Sequence, residues 1–264
     1  MHVFLSPHLD DAVLSCGGLI YELTQQGQIV LILTLLAGDP PNPLPVTPLV
    51  TELHQRWNAG SNPYLVRRAE DQESAAIVGA QAEHRPGLDA PYRVNTQGQA
   101  LYPHWQDVIG PLPNDDPLWT TPLALPAQTQ AVYAPLGVGR HADHRIVRQL
   151  AWAIEGLALY FYEDFPYTVA TAAVPLEVQP DYQSLPITPT VQQALSDIGN
   201  PMTPHLIPLR EAAIQAKIKA IRAHQSQLST FWPDTATLES GVRRYAQQVA
   251  GNSSDYAERL WKRA

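Results

Sequence analysis

Residues 1–36 read MHVFLSPHLDDAVLSCGGLIYELTQQGQIVLILTLL, and the order of patterns in this stretch decides the fold. Val3, Phe4 and Leu5 form a short apolar run halted by Pro7, which predicts a buried strand over 2–6. Ala12, Val13, Cys16, Leu19, Ile20 and Leu23 then recur at three- and four-residue spacing. That periodicity predicts a helix over 10–26, with Gly27 as its stop. Residues 28–36 are a continuous β-rich apolar run, the pattern of a strand covered on both faces in a parallel sheet. Strand, helix, strand in this order predicts an α/β fold. We expect a Rossmann-like, mostly parallel sheet flanked by helices, with right-handed crossovers.

The alternation continues along the chain. The pattern predicts helices over 64–79, 143–156, 210–225 and 235–250, strands over 130–134 and 157–162, and a weaker helix over 254–262. The charged residues of 210–222 read as a solvated helix face. The 25 prolines cluster in 40–48, 111–126, 175–189 and 201–208. Proline fixes φ and removes a donor, so these stretches read as loop insertions rather than helices or central strands. No linker, repeat or charge run marks a boundary, and one domain over 1–264 is expected.

Composition excludes several classes. A chain of 264 residues with 45% hydrophobic and 16% charged residues has the makings of a globular enzyme. Its formal charge of -8 gives no support for a nucleic-acid partner. A single cysteine, Cys16, implies no internal disulfide and reads as a small buried residue beside Gly17 and Gly18. That glycine pair lacks the spacing of a dinucleotide fingerprint and reads as close packing of helix on sheet. Neither Ser6 nor Ser15 has the context of a nucleophile elbow. The N-terminus has no signal-peptide pattern, and no apolar stretch approaches the roughly 20 residues a membrane span needs. A soluble, cytoplasmic protein is expected, and the reading leans toward self-association as a homo-oligomer.

Two segments carry the chemistry. Pro7-His-Leu-Asp-Asp11 follows the first strand and opens a helix, and His141-Ala-Asp-His144 follows a later strand and opens another. Ligands of open parallel sheets bind at the carboxyl ends of the strands, where these two turns can face each other. Two imidazoles and a carboxylate suit Zn²⁺, and also Fe²⁺ or Co²⁺, with a fourth position left for water. A neighbouring carboxylate that is not a ligand can take a proton from that water. An aspartate pair supplies both roles, and a cation removes the cost of placing like charges side by side. Taken alone, Asp10-Asp11 reads as a helix cap and either histidine as a loop residue. Their joint placement between strand and helix favours the metal reading.

These segments also carry a resemblance. Ser6-Pro-His-Leu-Asp-Asp-Ala-Val-Leu-Ser-Cys-Gly-Gly18 and Ala134-Pro-Leu-Gly-Val-Gly-Arg-His-Ala-Asp-His144 resemble the two signature segments of the PIG-L/LmbE-like zinc-dependent deacetylases. Arg67-Arg-Ala-Glu-Asp-Gln-Glu-Ser-Ala-Ala-Ile-Val-Gly79, Leu88-Asp-Ala-Pro-Tyr-Arg93, Tyr162-Glu-Asp-Phe-Pro-Tyr167 and Lys217 to Gln227 resemble later segments of that family. The resemblance implies removal of an N-acetyl group from an amino-sugar or glycoconjugate substrate. It implies His8, Asp11 and His144 as metal ligands, Asp10 as general base, and His141 as the group that stabilises the oxyanion or protonates the leaving amine. Arg67 and Asp89 would reach substrate hydroxyls, and Asp143 would open the helix or orient an imidazole. The chain departs from many members in carrying Ala12 where they have Glu, which leaves the metal set intact and the substrate open. A metallohydrolase of another amide or ester, and a non-catalytic sugar- or nucleotide-binding module, are the alternatives.

Two further signals stay double. Glu163 and Asp164 follow a strand and could support the metal site or simply cap a loop. Trp57, Tyr64, Tyr92, Tyr102, Trp105 and Trp119 lie in or near loops, where aromatic faces stack on sugar rings or pack the loops themselves.

Overall fold

In the computed structural model, which describes residues 1–57, 62–169, 177–178 and 186–264, the opening pattern becomes β1 (His2–Ser6), α1 (Asp11–Gln25) and β2 (Val30–Thr34). β1 and β2 pair in parallel from His2↔Val30 to Ser6↔Thr34. Strand side chains alternate between faces, so Phe4 enters one core while Val3 and Leu5 enter another. Next come α2 (Pro48–Trp57), α3 (Pro63–Ile77), β3 (Gln81–His84), α4 (Trp105–Ile109), β4 (Ala131–Pro135), α5 (Ala142–Trp152) and β5 (Ala158–Tyr162). The remaining elements are β6 (Glu177–Val178), β7 (Pro186–Ile187), α6 (Pro189–Ile198), β8 (Met202–Leu209), α7 (Glu211–Ala223), α8 (Gln225–Phe231), α9 (Thr235–Ala250) and β9 (Tyr256–Arg263).

The main sheet has seven strands in the order β3-β2-β1-β4-β5-β9-β8, and β6 and β7 form a separate small ribbon. The first five strands are parallel, and β9 and β8 add on antiparallel. The α/β class is therefore met. The Rossmann-like description fits the parallel part and only loosely the whole. Residues of α1, α3, α7 and α9 pack one face, and residues of α5 and α6 the other. The chain thus leaves β1 toward one face and leaves its neighbour β4 toward the opposite face. This is the topological switch point of the sheet, where the two connections diverge and open a crevice above the strand ends.

Three expectations need correction. Residues 254–262 are strand β9, not a helix. Ala257, Glu258, Arg259 and Leu260 favour a helix by propensity, but eight residue pairs with β8 and two with β5 fix them in the sheet. The proline-rich stretch 201–208 forms most of β8, which tolerates Pro204 and Pro208 because it is an edge strand. Charged residues of 210–222 are not all solvated: Lys217 is buried and bonds Glu258 of β9 at 2.7 Å. Most of the proline-rich stretch 175–189 lies outside the described residues.

The glycine pair in α1 has the packing reason expected of it. A Cβ on Gly17 would lie 3.0 Å from the Lys217 side chain, and one on Gly18 would lie 2.6 Å from Leu209 and 3.0 Å from Glu258. Glu258 also accepts hydrogen bonds from the backbone of Gly18 and Leu19, so the helix must approach that closely. Gly18→Ala is expected to cost about 1–3 kcal/mol by overpacking, read as a lower thermal midpoint. An unchanged midpoint would show that Leu209 gives way freely.

His224, after α7, is buried with both ring nitrogens unpartnered among the described residues. Burial lowers its pKa from 6.5 to about 4. Between those values the unfolded chain binds a proton that the native chain does not, so stability falls as pH drops through that window. The loss is at most on the order of 3 kcal/mol. His224→Leu should flatten this part of a urea-midpoint profile against pH, and an unaltered profile counts against it.

Candidate active site

The crevice is built by the loops that leave β1, β3, β4 and β5. Asp10 occupies the N-cap position of α1, yet its side chain makes no capping hydrogen bond. The carboxylate instead lines the cleft, with the Arg67 guanidinium 3.7 Å away. The capping explanation is thereby removed for Asp10. Asp11 turns the other way: its Oδ2 accepts the backbone N–H of His8 at 2.8 Å and lies 3.1 Å from His8 Nδ1 and 3.3 Å from His144 Nε2. His8, Asp11 and His144 converge so that one donor atom of each lies within 4.8 Å of the others, all buried. This group could hold a metal ion. The fit has a further sign: the buried Nε2 of His144 makes no well-formed hydrogen bond among the described residues, with Asp11 Oδ2 as its 3.3 Å neighbour. A bound cation would provide the partner that an orphaned buried nitrogen otherwise lacks.

Each imidazole is aimed by a carboxylate behind it. His8 Nε2 hydrogen-bonds Asp143 Oδ2 at 2.8 Å, and His144 Nδ1 hydrogen-bonds Asp164 Oδ1 at 2.6 Å. Such contacts fix both tautomer and ring direction, leaving Nδ1 of His8 and Nε2 of His144 toward the shared point. Asp143 is itself held by Arg93 at 2.5 Å and by the backbone N–H of Ala90. Asp164 accepts the backbone N–H groups of Gly137 and Val138, both at 2.8 Å, which ties the β4 loop to the β5 loop. Of the acidic pair after β5, Asp164 serves the site. Glu163 points away to Arg259, Tyr245 and Trp261.

His141 sits at the N-cap of α5 after a turn in which Gly137, Gly139 and Arg140 all have positive φ (83°, 82° and 64°). Its Nδ1 accepts the backbone N–H of Asp143 at 3.3 Å. The ring proton of a neutral His141 is then on Nε2 and available to the cleft. Burial lowers the His141 pKa to about 4, so the ring is neutral near pH 7. For Asp10, burial first and the Asp11 charge second push the carboxyl up to about 7. Burial also works against Asp11, but His144 and His8 outweigh it and hold that carboxyl well below the usual range.

Arg67 and Asp89 line the same cleft. Asp89 accepts a 2.6 Å hydrogen bond from the Tyr64 hydroxyl and has its other oxygen 3.3 Å from His8 Nε2. Its loop is pressed on the chain after β2, where a Cβ on Gly87 would lie 2.5 Å from the Leu35 carbonyl oxygen. The supporting roles of Arg93, Tyr64 and Asp116 were not read from the sequence. Arg93 bonds Asp116, and Tyr102 donates to the same carboxylate. Tyr64, Tyr92 and Tyr102 are buried and pack the loops, whereas Trp105 reaches the cleft. The cleft encloses about 590 Å³, part of it open to solvent. No helix among the described residues is long and apolar enough to cross a membrane.

Comparison with known proteins adds to this geometry. A family model described as GlcNAc-PI de-N-acetylase, PIG-L, matches residues 3–155, more than half of the chain. The 2'-N-acetylparomamine deacetylase of Niallia circulans is 27% identical over 184 residues. That alignment covers 62% of this chain and 66% of the relative, just under two thirds of the relative's length. Among solved structures, the zinc-inhibited form of teicoplanin deacetylase Orf2 is 21% identical with a TM-score of 0.72, over 100% of this chain and 98% of the other. The pseudoaglycone deacetylase Dbv21 is 24% identical with a TM-score of 0.68, over 98% and 95%. At these identities the structural likeness establishes a shared fold.

The bond from Asp164 to His144 has a measurable consequence. Asp164→Asn should weaken affinity for a divalent cation by about 10–100-fold, because the imidazole loses the partner that orients it. Competition of the purified protein against a chelator of known affinity measures this, and an unchanged affinity would refute the orienting role.

Proposed function

This chain belongs to the PIG-L family, and on that premise we propose that it is a zinc-dependent hydrolase that removes an N-acetyl group from an amino-sugar-containing substrate. The observation that carries the reading is the buried His8, Asp11 and His144 group with Asp10 beside it, a carboxylate that caps nothing and faces the cleft. Two imidazoles and a carboxylate suit Zn²⁺, with Fe²⁺ and Co²⁺ as further candidates. A cation held there supplies a Lewis acid for the amide carbonyl and for the attacking water.

The chain's own residues do the rest. Asp10 is the general base: it takes the proton of water as the oxygen attacks the amide carbon. Arg67, 3.7 Å from Asp10, steadies that carboxylate and reaches substrate hydroxyls. His141 donates its Nε2 proton in a hydrogen bond to the oxygen on which negative charge develops. The proton held by Asp10 then passes to the leaving amine, which departs with acetate as the second product. Asp89 pairs with a sugar hydroxyl and is kept in place by Tyr64. The named activities of the relatives support an amino-sugar substrate.

Asp10→Asn keeps the shape of the side chain and removes its basicity. It should retain its metal content and lose about 10²–10⁴-fold in rate. Acetate release from N-acetylated amino sugars, with metal analysis of the same samples, tests this. Wild-type turnover in that variant would exclude Asp10 as base.

A further inference from the structure

The cleft has two walls of different chemistry. Its floor is polar: His8, Asp10, Asp11, Asp89 and His141 come from the loops at the strand ends. Leu49 and Leu53 of α2 and Trp105 and Val108 of α4 line the same space, together with Arg56. This wall is a built feature with a core of its own. Leu49, Val50, Leu53, Tyr92, Tyr102 and Val108 form a hydrophobic cluster separate from the two that hold the sheet. The backbone N–H of Leu49 bonds the Pro103 carbonyl at 3.1 Å, joining the start of α2 to the loop before α4. The His54 ring and the Tyr92 hydroxyl, 2.8 Å apart, tie α2 to the loop that carries Asp89.

Trp105 is the exposed member. It is 36% exposed, and its indole N–H donates to Glu52 at 3.2 Å, so the ring is held by its polar edge. Glu52 also pairs with Arg56, whose guanidinium carbon is 5.8 Å from the ring centroid. Ile109, one turn on from Trp105, is also exposed. Leu49, Leu53 and Val108 are buried behind Trp105, so Trp105 presents most of the apolar surface of this wall. An aromatic or alkyl group laid on that ring would lose only apolar contact with water.

We propose that the Trp105 wall is an aglycone subsite that binds an apolar or aromatic group attached to the amino sugar. This rests on the deacetylase reading and narrows its substrate class to hydrophobic glycosides. The occupant follows from continuity: the wall and the catalytic floor bound one space, so a sugar whose acetamido group meets His141 and Asp10 extends its substituent along α2 and α4.

The experiment compares acetate release from the methyl, phenyl and hexyl β-glycosides of N-acetylglucosamine by the metal-loaded enzyme. The phenyl and hexyl glycosides should exceed the methyl glycoside in kcat/KM by about tenfold or more, through a lower KM. Trp105→Ala should bring that ratio to within about twofold, and Trp105→Phe should keep most of it. Thermal midpoints confirm that both variants are folded. Equal kcat/KM across the series in the wild type, or a preference that survives in Trp105→Ala, would overturn the subsite. Failure to release acetate from every glycoside counts against the deacetylase reading instead. Calorimetric binding of the phenyl glycoside then decides the subsite: affinity lost in Trp105→Ala supports it, and affinity retained overturns it.

Discussion

Two imidazoles at the switch point of the sheet must each aim one nitrogen at a common spot, and a buried carboxylate behind each ring does the aiming. His8 leaves β1 and is aimed by Asp143, which belongs to the segment after β4. His144 leaves β4 and is aimed by Asp164, which follows β5. The three loops are therefore braced against one another by the same bonds that prepare the site. Hydrogen bonds to charged groups contribute about 1.5–3 kcal/mol each, and breaking one partner in a buried pair costs more than the pair itself contributes. That asymmetry makes the arrangement a matter of geometry more than of added stability.

The same constraint concentrates negative charge. Asp10, Asp11, Asp89, Asp143 and Asp164 are all buried around the crevice, and the guanidiniums of Arg67 and Arg93 face Asp10 and Asp143. Without a cation, the balance falls on His8 and His144, both of whose pKa values rise, His144 to about 10, although burial opposes the charge. A divalent cation would displace those protons and do the same electrostatic work at the point where the ligands converge. Adjacent acids are split by direction. Asp10 faces the cleft and Asp11 the ligand group; Asp164 faces His144 and Glu163 turns to Arg259.

Beyond the floor, the loops between β3 and β4 form a scaffold of their own together with α2. Arg93 and Tyr102 converge on Asp116, and α2 leans on Tyr92, so the wall of the cleft is fixed by bonds remote from the chemistry. Rigid support of this kind is what holds a site to its geometry. The closing strands act similarly at the far side. β9 brings Arg259 and Glu258 into the interior, and these neutralise Glu163 and Lys217 beside α1.

The sequence alone determined the strand–helix–strand opening and the two His/Asp turns, which depend on local periodicity and short spacing, properties of neighbouring residues. The offer of His8, Asp11 and His144 as ligands came from the family resemblance those turns carry. Only the tertiary structure decided which aspartate faces which way, since Asp10 and Asp11 differ by their surroundings and not by their chemistry. It also decided that Asp164 serves the site while Glu163 does not, that Arg93 holds Asp143, and that Trp105 rather than Tyr64 or Tyr92 reaches the cleft. β9 is the clearest case. Its residues favour a helix by local preference, and pairing with β8 and β5 overrides that preference with hydrogen bonds and ion pairs from distant parts of the chain. Local pattern could specify the elements because burial acts on every residue in turn. Orientation within the site depends on partners more than a hundred residues apart, such as Asp143 for His8, and these come together only on folding.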